Sequence, residues 1–501
     1  MSDRHDAEAL LAAARTAYQD DETALAVIDE LDQRLAEPLR LALAGMVKAG
    51  KSTLLNAMLG EEIAPTDAGE CTRVVTWYRY SHTPTVTLHT TDGEQRRLPV
   101  RRVDDRLVLD LGGFPAEQVA QLDVGWPLPA LKSMILIDTP GIASLSVDTS
   151  ARTTGFLAPE QSSSAADAVV YLIRHLHPSD VNFLEAFRDT AAGVWQTICA
   201  MGVLSRADEV GSGRIDSLIS ARRVAARYER DPELAALVLD VLPVAGLVAQ
   251  GARTLREDEF AAFRLLADLD RGDRERLLVS ADRFAGHSEV VELSRAQRAA
   301  LLDRFGLYGV RLATALIRGG AETSSELSEQ LVAQSGLIEL QQAVRDQFRT
   351  RATLLKLRGV LMGLEQLLRD RPREGTSPVQ EGIERISAST HGLRELSLLA
   401  AVRADGLPLP ADDAADAARI LGGAGTAVHH RLALPEDAGA DAVRERVDAL
   451  LIRWRTLGES PLTERAGVAA CRTVLRSLEE IRSEVGVAGS GGSGAQVVLP
   501  G

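Results

Sequence analysis

The chain has 501 residues, 45% apolar and 25% charged, enough to bury a sizeable core in two or three domains rather than one. Asp and Glu (71) outnumber Lys and Arg (56), and the net charge of -15 argues against a surface built mainly to hold nucleic acid. Three scattered cysteines, Cys71, Cys199 and Cys471, indicate neither a disulfide framework nor a zinc cluster. The start Met1-Ser2-Asp3-Arg4 lacks both the order of a secretion signal and the glycine that myristoylation needs, so a cytoplasmic chain is expected.

Residues 6–37 read as one helix, because Leu10, Leu11, Ala14, Tyr18, Leu25, Ile28, Leu31 and Leu35 recur at helical spacing before Pro38. Strand-like segments follow at 39–44, 72–80, 83–90, 97–100, 134–137, 168–173, 197–204 and 237–244, with a helix at 51–59 and a hairpin turn at Asp92-Gly93. That alternation predicts an α/β unit, a mostly parallel sheet flanked by helices. Amphipathic helices then take over, at 254–270, 294–318, 324–335, 337–371, 377–402, 411–422, 438–457 and 462–485, and the Gly- and Ser-rich end from 486 reads as disordered. The most apolar window, 234–249, is interrupted by Asp240 and Pro243. A spanning helix needs about 20 apolar residues, so any membrane contact is expected to be peripheral.

The loop Gly45-Met46-Val47-Lys48-Ala49-Gly50-Lys51-Ser52 falls between a strand and a helix. Glycine at its first and sixth positions lets backbone N–H groups turn inward around phosphate oxygens, with Lys51 reaching the outer phosphates and the Ser52 hydroxyl ligating Mg²⁺. Gly45, Lys48, Ala49, Gly50 and Thr53 complete the expected phosphate contacts. The chain has only four lysines, Lys48, Lys51, Lys132 and Lys356, and two of them lie here, where a compact ammonium serves phosphate better than a planar fork.

Asp138-Thr139-Pro140-Gly141 leaves the end of an apolar strand; Asp138 is expected to hold Mg²⁺ through water and the Gly141 N–H to meet the γ-phosphate. Ser205-Arg206-Ala207-Asp208 closes another strand. An aspartate there can accept both the ring N–H and the amine of guanine, with the Arg206 stem over the base; the bland alternative is a helix-capping aspartate. The usual motif has Asn or Thr, then Lys, where Ser205 and Arg206 stand. Ala245, after the next strand, is the candidate N–H donor to the guanine O6. Thr72 is either the residue that closes on Mg²⁺ and the γ-phosphate and fixes the attacking water, or an ordinary strand-start threonine.

Together with Thr53-Leu54-Leu55-Asn56-Ala57-Met58-Leu59-Gly60, Pro65-Thr66, Cys71-Thr72-Arg73 and Ala166-Asp167-Ala168-Val169-Val170-Tyr171, these motifs resemble the dynamin family of large GTPases, over about residues 38–250. The length, the Arg- and Ala-rich style and the stretch from Ser335-Gly336-Leu337 are similar to the shorter of the actinobacterial, isoniazid-inducible dynamin-like proteins. The resemblance implies an N-terminal helix at 1–37 joining a helical bundle, a G domain at 38–345 with a helical insertion near 253–335, a bundle or stalk at 346–487 with a tip at 404–435, and a disordered tail at 488–501.

It also implies hydrolysis of GTP to GDP with Mg²⁺, with Lys51, Thr72 and Lys48 as the catalytic set and water as nucleophile. The implied partners are a second copy through the G domains, membrane lipids at the bundle tip on the inner face of the cell membrane, and a related dynamin-like protein; nucleic acid is not among them. Many dynamins carry Gln and Ser where Val47 and Lys48 stand. Val47 predicts slow turnover, while Lys48 either places its ammonium where a monovalent cation would sit or points to solvent. At the tip, Leu407 and Leu409 between Pro408 and Pro410, with the apolar segment 420–428, either wedge into a headgroup layer beside His429, His430 and Arg431 or pack inward. A nucleotide-gated scaffold that hardly hydrolyses GTP is the rival reading, and an RNA assembly factor a third, disfavoured by the acidic balance.

Overall fold

The computed structural model describes residues 2–66, 73–103, 106–142, 156–157, 164–189, 199–404 and 406–490. Its strands are β1 (Leu39–Gly45), β2 (Thr76–Tyr80), β3 (Thr85–Thr90), β4 (Gln95–Leu98), β5 (Arg101–Val103), β6 (Arg106–Val108), β7 (Val119–Trp126), β8 (Met134–Asp138), β9 (Ala168–Ile173), β10 (Ala200–Ser205) and β11 (Val241–Val244). Nine of them form one sheet, in the order β11-β10-β9-β1-β8-β2-β7-β3-β4. From β11 to β8 every pair is parallel, and β2 then runs antiparallel to β8. In β1, β9 and β10 every residue is buried, which is how strands covered by helices on both faces read in sequence. β1 lies between β8 and β9, so the chain leaves to one side and returns on the other, the switch point at which ligands of such sheets bind. β7 was not expected from the sequence: its Ala120, Gln121, Asp123 and Gly125 dilute the apolar alternation.

The helices that matter for the site and its surroundings are α1 (Ser2–Ala17), α2 (Glu22–Ala36), α3 (Lys51–Leu59), α4 (Gly246–Arg253), α5 (Arg295–Arg318), α6 (Ala352–Asp370), α7 (Ser377–Ser389), α8 (His391–Ala404), α9 (Ala411–Ile420), α10 (Ala440–Glu459) and α11 (Arg465–Ser490). The single helix expected over 6–37 is two helices, because the Asp21 carboxylate accepts the Ala24 N–H at 3.0 Å and starts α2 afresh. α1 and α2 share a core with α6 and α7, built on Leu11, Ile28, Leu31, Leu361, Leu364 and Ile383. The helix expected over 337–371 is likewise interrupted, by a π-turn at Arg345–Arg349. The one expected over 377–402 breaks at Thr390, which is extended.

A buried ionic joint ties these helices to the sheet. Arg34 of α2 pairs with the fully buried Asp167 at 2.7 Å, and the other Asp167 oxygen accepts the Arg40 N–H at 2.9 Å. From α6, Arg358 donates to the Asp167 carbonyl at 3.4 Å, and Lys356 Nζ donates to the carbonyls of Leu35 and Glu37 at 3.0 and 2.8 Å. These contacts sit at the N-terminal ends of β1 and β9, the far ends of the strands from Gly45.

In the C-terminal half, the inward-packing alternative describes the expected tip: Leu407 and Leu409 are half-buried, and Leu409 lies against Gly467 of α11; Ile420 and Leu421 are buried outright. The segment after α9 instead closes on the π-turn, where Gln347 and Arg351 donate to the Gly422 carbonyl at 3.1 and 3.3 Å. Leucines this close to an apolar bundle gain more from packing than from solvent exposure. The tail expected to be disordered from 488 is helical up to Ser490, since adding residues to a formed helix is far easier than nucleating one; residues 491–501 lie outside the described residues. No helix among the described residues is long and apolar enough to cross a membrane.

Candidate functional site

The β1–α3 loop turns tightly enough that a Cβ at Gly45 would lie 2.6 Å from the Leu172 carbonyl of β9, so only glycine fits there. Gly50, at φ 95°, closes the loop and starts α3. Lys51 is buried, and its Nζ donates to the carbonyls of Gly45 and Met46, both at 3.2 Å. Burial holds its ammonium below the usual lysine value, while the Asp138 carboxylate opposes that shift. Lys48 adopts a left-handed φ of 62° and is exposed, and Val47 is 44% exposed.

Ser52 Oγ donates to Asp138 Oδ2 at 2.7 Å. Asp138 Oδ1 is buried without a hydrogen-bond partner among the described residues, and burial pushes the carboxyl upward against the pull of Lys51. An orphaned carboxylate oxygen beside a hydroxyl is a donor set that suits a hard cation such as Mg²⁺. Among the described residues no three His, Cys, Asp or Glu side chains converge, so such an ion would rely on these two residues and on ligand oxygens. Thr139 Oγ1 donates to the Leu43 carbonyl at 2.8 Å, pinning the turn after β8 to β1. A Cβ at Gly141 would fall 2.7 Å from Val47 Cα, so the turn and the loop touch backbone to backbone. Thr72 lies outside the described residues.

Beside the loop is an open cavity lined by Ala49, Gly50, Thr53, Leu172, Val203, Ser205, Arg206, Asp208, Val244, Gly246 and Leu247 among others. It unites the two motifs that lie far apart in sequence. Asp208 is 9% exposed, and burial pushes its carboxyl up to about 6. Ser205 Oγ donates to the Ile173 carbonyl at 3.3 Å, holding β10 to β9 at the edge of the cavity. Arg206, at a left-handed φ of 52°, reaches back to donate to the Lys48 carbonyl at 3.1 Å and pairs with Glu209 at 2.6 Å, so its stem spans from the base loop to the phosphate loop.

One expected contact is corrected. The Ala245 N–H donates to the Ser335 carbonyl at 2.8 Å and is not available to a base. Gly246 and Leu247, the first residues of α4, line the cavity in its place, where helix N–H groups have no intrahelical partner. Leu172, Val203 and Leu247 escaped sequence reasoning because buried apolar residues at strand and helix ends look alike whether they face a core or a pocket.

The profile of the dynamin family matches residues 41–186. The isoniazid-induced protein IniC of Mycobacterium tuberculosis (strain CDC 1551 / Oshkosh) is 38% identical over 468 residues, covering 93% of this chain and 94% of that protein. The isoniazid-induced protein IniA of the same strain is 35% identical over 147 residues, 28% of this chain and 22% of its own. The bacterial dynamin-like protein of Nostoc punctiforme is 34% identical over 116 residues, 21% of this chain and 16% of its own. A solved structure of an oligomerised bacterial dynamin pair, described as sensing and tethering membranes at long range, aligns with 97% of this chain and 75% of its own at 14% identity and a TM-score of 0.30.

Proposed function

The chain belongs to the dynamin family, and on that footing we propose that it binds GTP with Mg²⁺ between the β1–α3 loop and Asp208, hydrolyses it, and converts the cycle into helix movement at a membrane surface. The observation that carries this reading is the pairing of Ser52 with Asp138 at 2.7 Å beside a buried Lys51, with a cavity lined by Ser205, Arg206 and Asp208 opening next to the loop. The phosphates would take Lys51 Nζ from the loop carbonyls it now holds, and loop N–H groups with Gly141 would surround them. Mg²⁺, when bound at Ser52 and Asp138, supplies charge neutralisation on the phosphates. Thr72 keeps its proposed place as the switch residue that positions water.

β1 carries the loop at one end and meets the Arg34, Asp167 and Arg358 joint at the other, which gives nucleotide state a rigid route to α2 and α6. Val47 and Lys48 lie exposed on the nucleotide face, where a second copy would dock. Lys48 keeps its proposed place in the catalytic set, approaching the phosphates when a second copy docks. For peripheral contact with the inner face of the cell membrane, the inward packing of Leu407 and Leu409 moves attention to the turn between α10 and α11, where Leu462 is 93% exposed beside Pro461. A related dynamin-like protein is the further partner in this proposal.

Val47 favours one rival. An isopropyl group against Gly141 cannot align water, so a slow, nucleotide-gated scaffold for a protein partner is the second reading. Phosphate release measured with and without liposomes, alongside liposome co-sedimentation with GTP, GDP and no nucleotide, separates the two. No turnover under either condition favours the scaffold, and failure to bind lipid in every nucleotide state removes the membrane role.

A further inference from the structure

We propose that α5, a helix of the insertion, is a working wall of the base pocket: it breaks at Gly306 so that its second half lies over Asp208 and sets how strongly and selectively that carboxylate takes guanine. The proposal rests on the guanine reading of the pocket given above. Gly306 is the one non-helical residue inside α5, at φ 64° and ψ 172°, a region that L side chains rarely enter. A break in mid-helix forfeits backbone hydrogen bonds and calls for a local cause. Here the two halves of α5 are fixed to different things.

The first half is anchored by Arg304, which is 9% exposed, pairs with Glu62 at 2.8 Å and with Glu259, and donates to the Thr254 carbonyl at 2.7 Å. A Cβ on Gly251 of α4 would lie 2.7 Å from the Arg304 carbonyl, so α4 and α5 are in backbone contact at this level. The second half is anchored to the base loop. A Cβ at Gly306 would lie 3.7 Å from Asp208 Oδ2 and 3.6 Å from Leu247 Cδ2, both of them pocket residues. Arg311 donates to the Gly213 carbonyl at 2.5 Å and to the Leu278 carbonyl at 2.6 Å, fastening the loop that follows Asp208. Tyr308 is buried, and burial together with the Asp208 charge pushes its hydroxyl up to about 12.

The consequence is a dry specificity carboxylate. On its own segment Asp208 is faced by Arg206 and Glu209, which are paired with each other; from α5 by Tyr308, with Arg222 beyond it; and from α4 by the uncharged Leu247. The cation that opposes this burial, Arg206, is only half-buried and already paired with Glu209. Hydrogen bonds from a guanine ring N–H and amine are therefore made in a low-dielectric setting, where they are stronger and a mispaired base is penalised more.

The test is calorimetric titration of the full chain with GDP and with ADP between about pH 5 and about pH 8, a range that brackets a shifted carboxylate. It compares the unmodified protein with Gly306→Ala and with Arg311→Met; the second variant keeps α5 intact and removes only the tether. Both variants should bind GDP about tenfold more weakly at neutral pH and discriminate less against ADP. GDP affinity of the unmodified chain should fall as the pH drops through about 6, and in both variants that midpoint should move down toward an ordinary aspartate. Folded variants that keep the unmodified affinity, base preference and midpoint would overturn the proposal. An unmodified chain that binds ADP as tightly as GDP at every pH would instead remove the guanine reading, and this inference with it.

Discussion

Ser52 Oγ and Asp138 Oδ2 lie 2.7 Å apart, joining the first turn of α3 to the last residue of β8. With the second Asp138 oxygen buried and without a hydrogen-bond partner among the described residues, this pair suits a hard cation. Asp138→Ala should leave GTP affinity in chelator nearly unchanged while removing the strengthening that Mg²⁺ brings, by roughly tenfold. Titrations with and without Mg²⁺ measure this, and an undiminished Mg²⁺ effect would move the ion elsewhere.

Asp208 gives a pH prediction with a definite sign. Burial pushes its carboxyl up to about 6, above the usual aspartate value, so the folded chain disfavours the ionised form. That cost is present above about pH 6 and disappears as the pH falls toward the unfolded value. Asp208→Asn should therefore make the nucleotide-free protein more stable at neutral pH, by on the order of 2 kcal/mol, with the gain shrinking under acid. The same change should weaken GDP and favour a xanthine nucleotide, whose carbonyl accepts from the new amide. Thermal melts and competition binding report both effects.

The phosphate loop, Asp138 and Asp208 could be singled out because each stands at or just past the C-terminal end of an apolar strand, a position that hydrophobic runs reveal. What escaped was local. The Asp21 cap that splits α1 from α2 looks, in sequence, like one more solvated acid on a helix face. Gly306 sits inside an unbroken amphipathic pattern, so the break and its approach to Asp208 exist only in three dimensions. For Leu407 and Leu409 the flanking prolines left exposure and inward packing both open, because the α11 surface at Gly467 that decides between them could not be foreseen. The commitment of the Ala245 N–H to Ser335 joins segments far apart in sequence, which no local pattern records.

The joint between sheet and helices predicts an asymmetry. Arg34→Met leaves Asp167 fully buried and short of its cation, and should destabilise the fold by about 3–5 kcal/mol. Arg34→Met combined with Asp167→Leu should recover part of that loss, since a matched apolar pair avoids the unpaired charge. Denaturant unfolding of the two variants checks this. Equal losses would mean that Arg34 acts mainly through its contacts to the Ser164 and Ala166 carbonyls.

The exposed turn at Leu462 separates two placements of membrane contact. Leu462→Asp should lower liposome co-sedimentation without altering the melting temperature, because the side chain is 93% exposed. Leu409→Asp should lower the melting temperature, because that side chain packs against α11. Unchanged lipid binding in Leu462→Asp would exclude this turn.

The most direct test of the central claim is phosphate release from GTP by the full chain in the presence of Mg²⁺, compared with Lys51→Ala. Lys51, Ser52 and Asp138 predict Mg²⁺-dependent release that is lost in Lys51→Ala, Val47 predicts a slow rate, and Asp208 predicts release from GTP and not from ATP. Release that is equal in the two proteins, or equally fast with ATP, would contradict it.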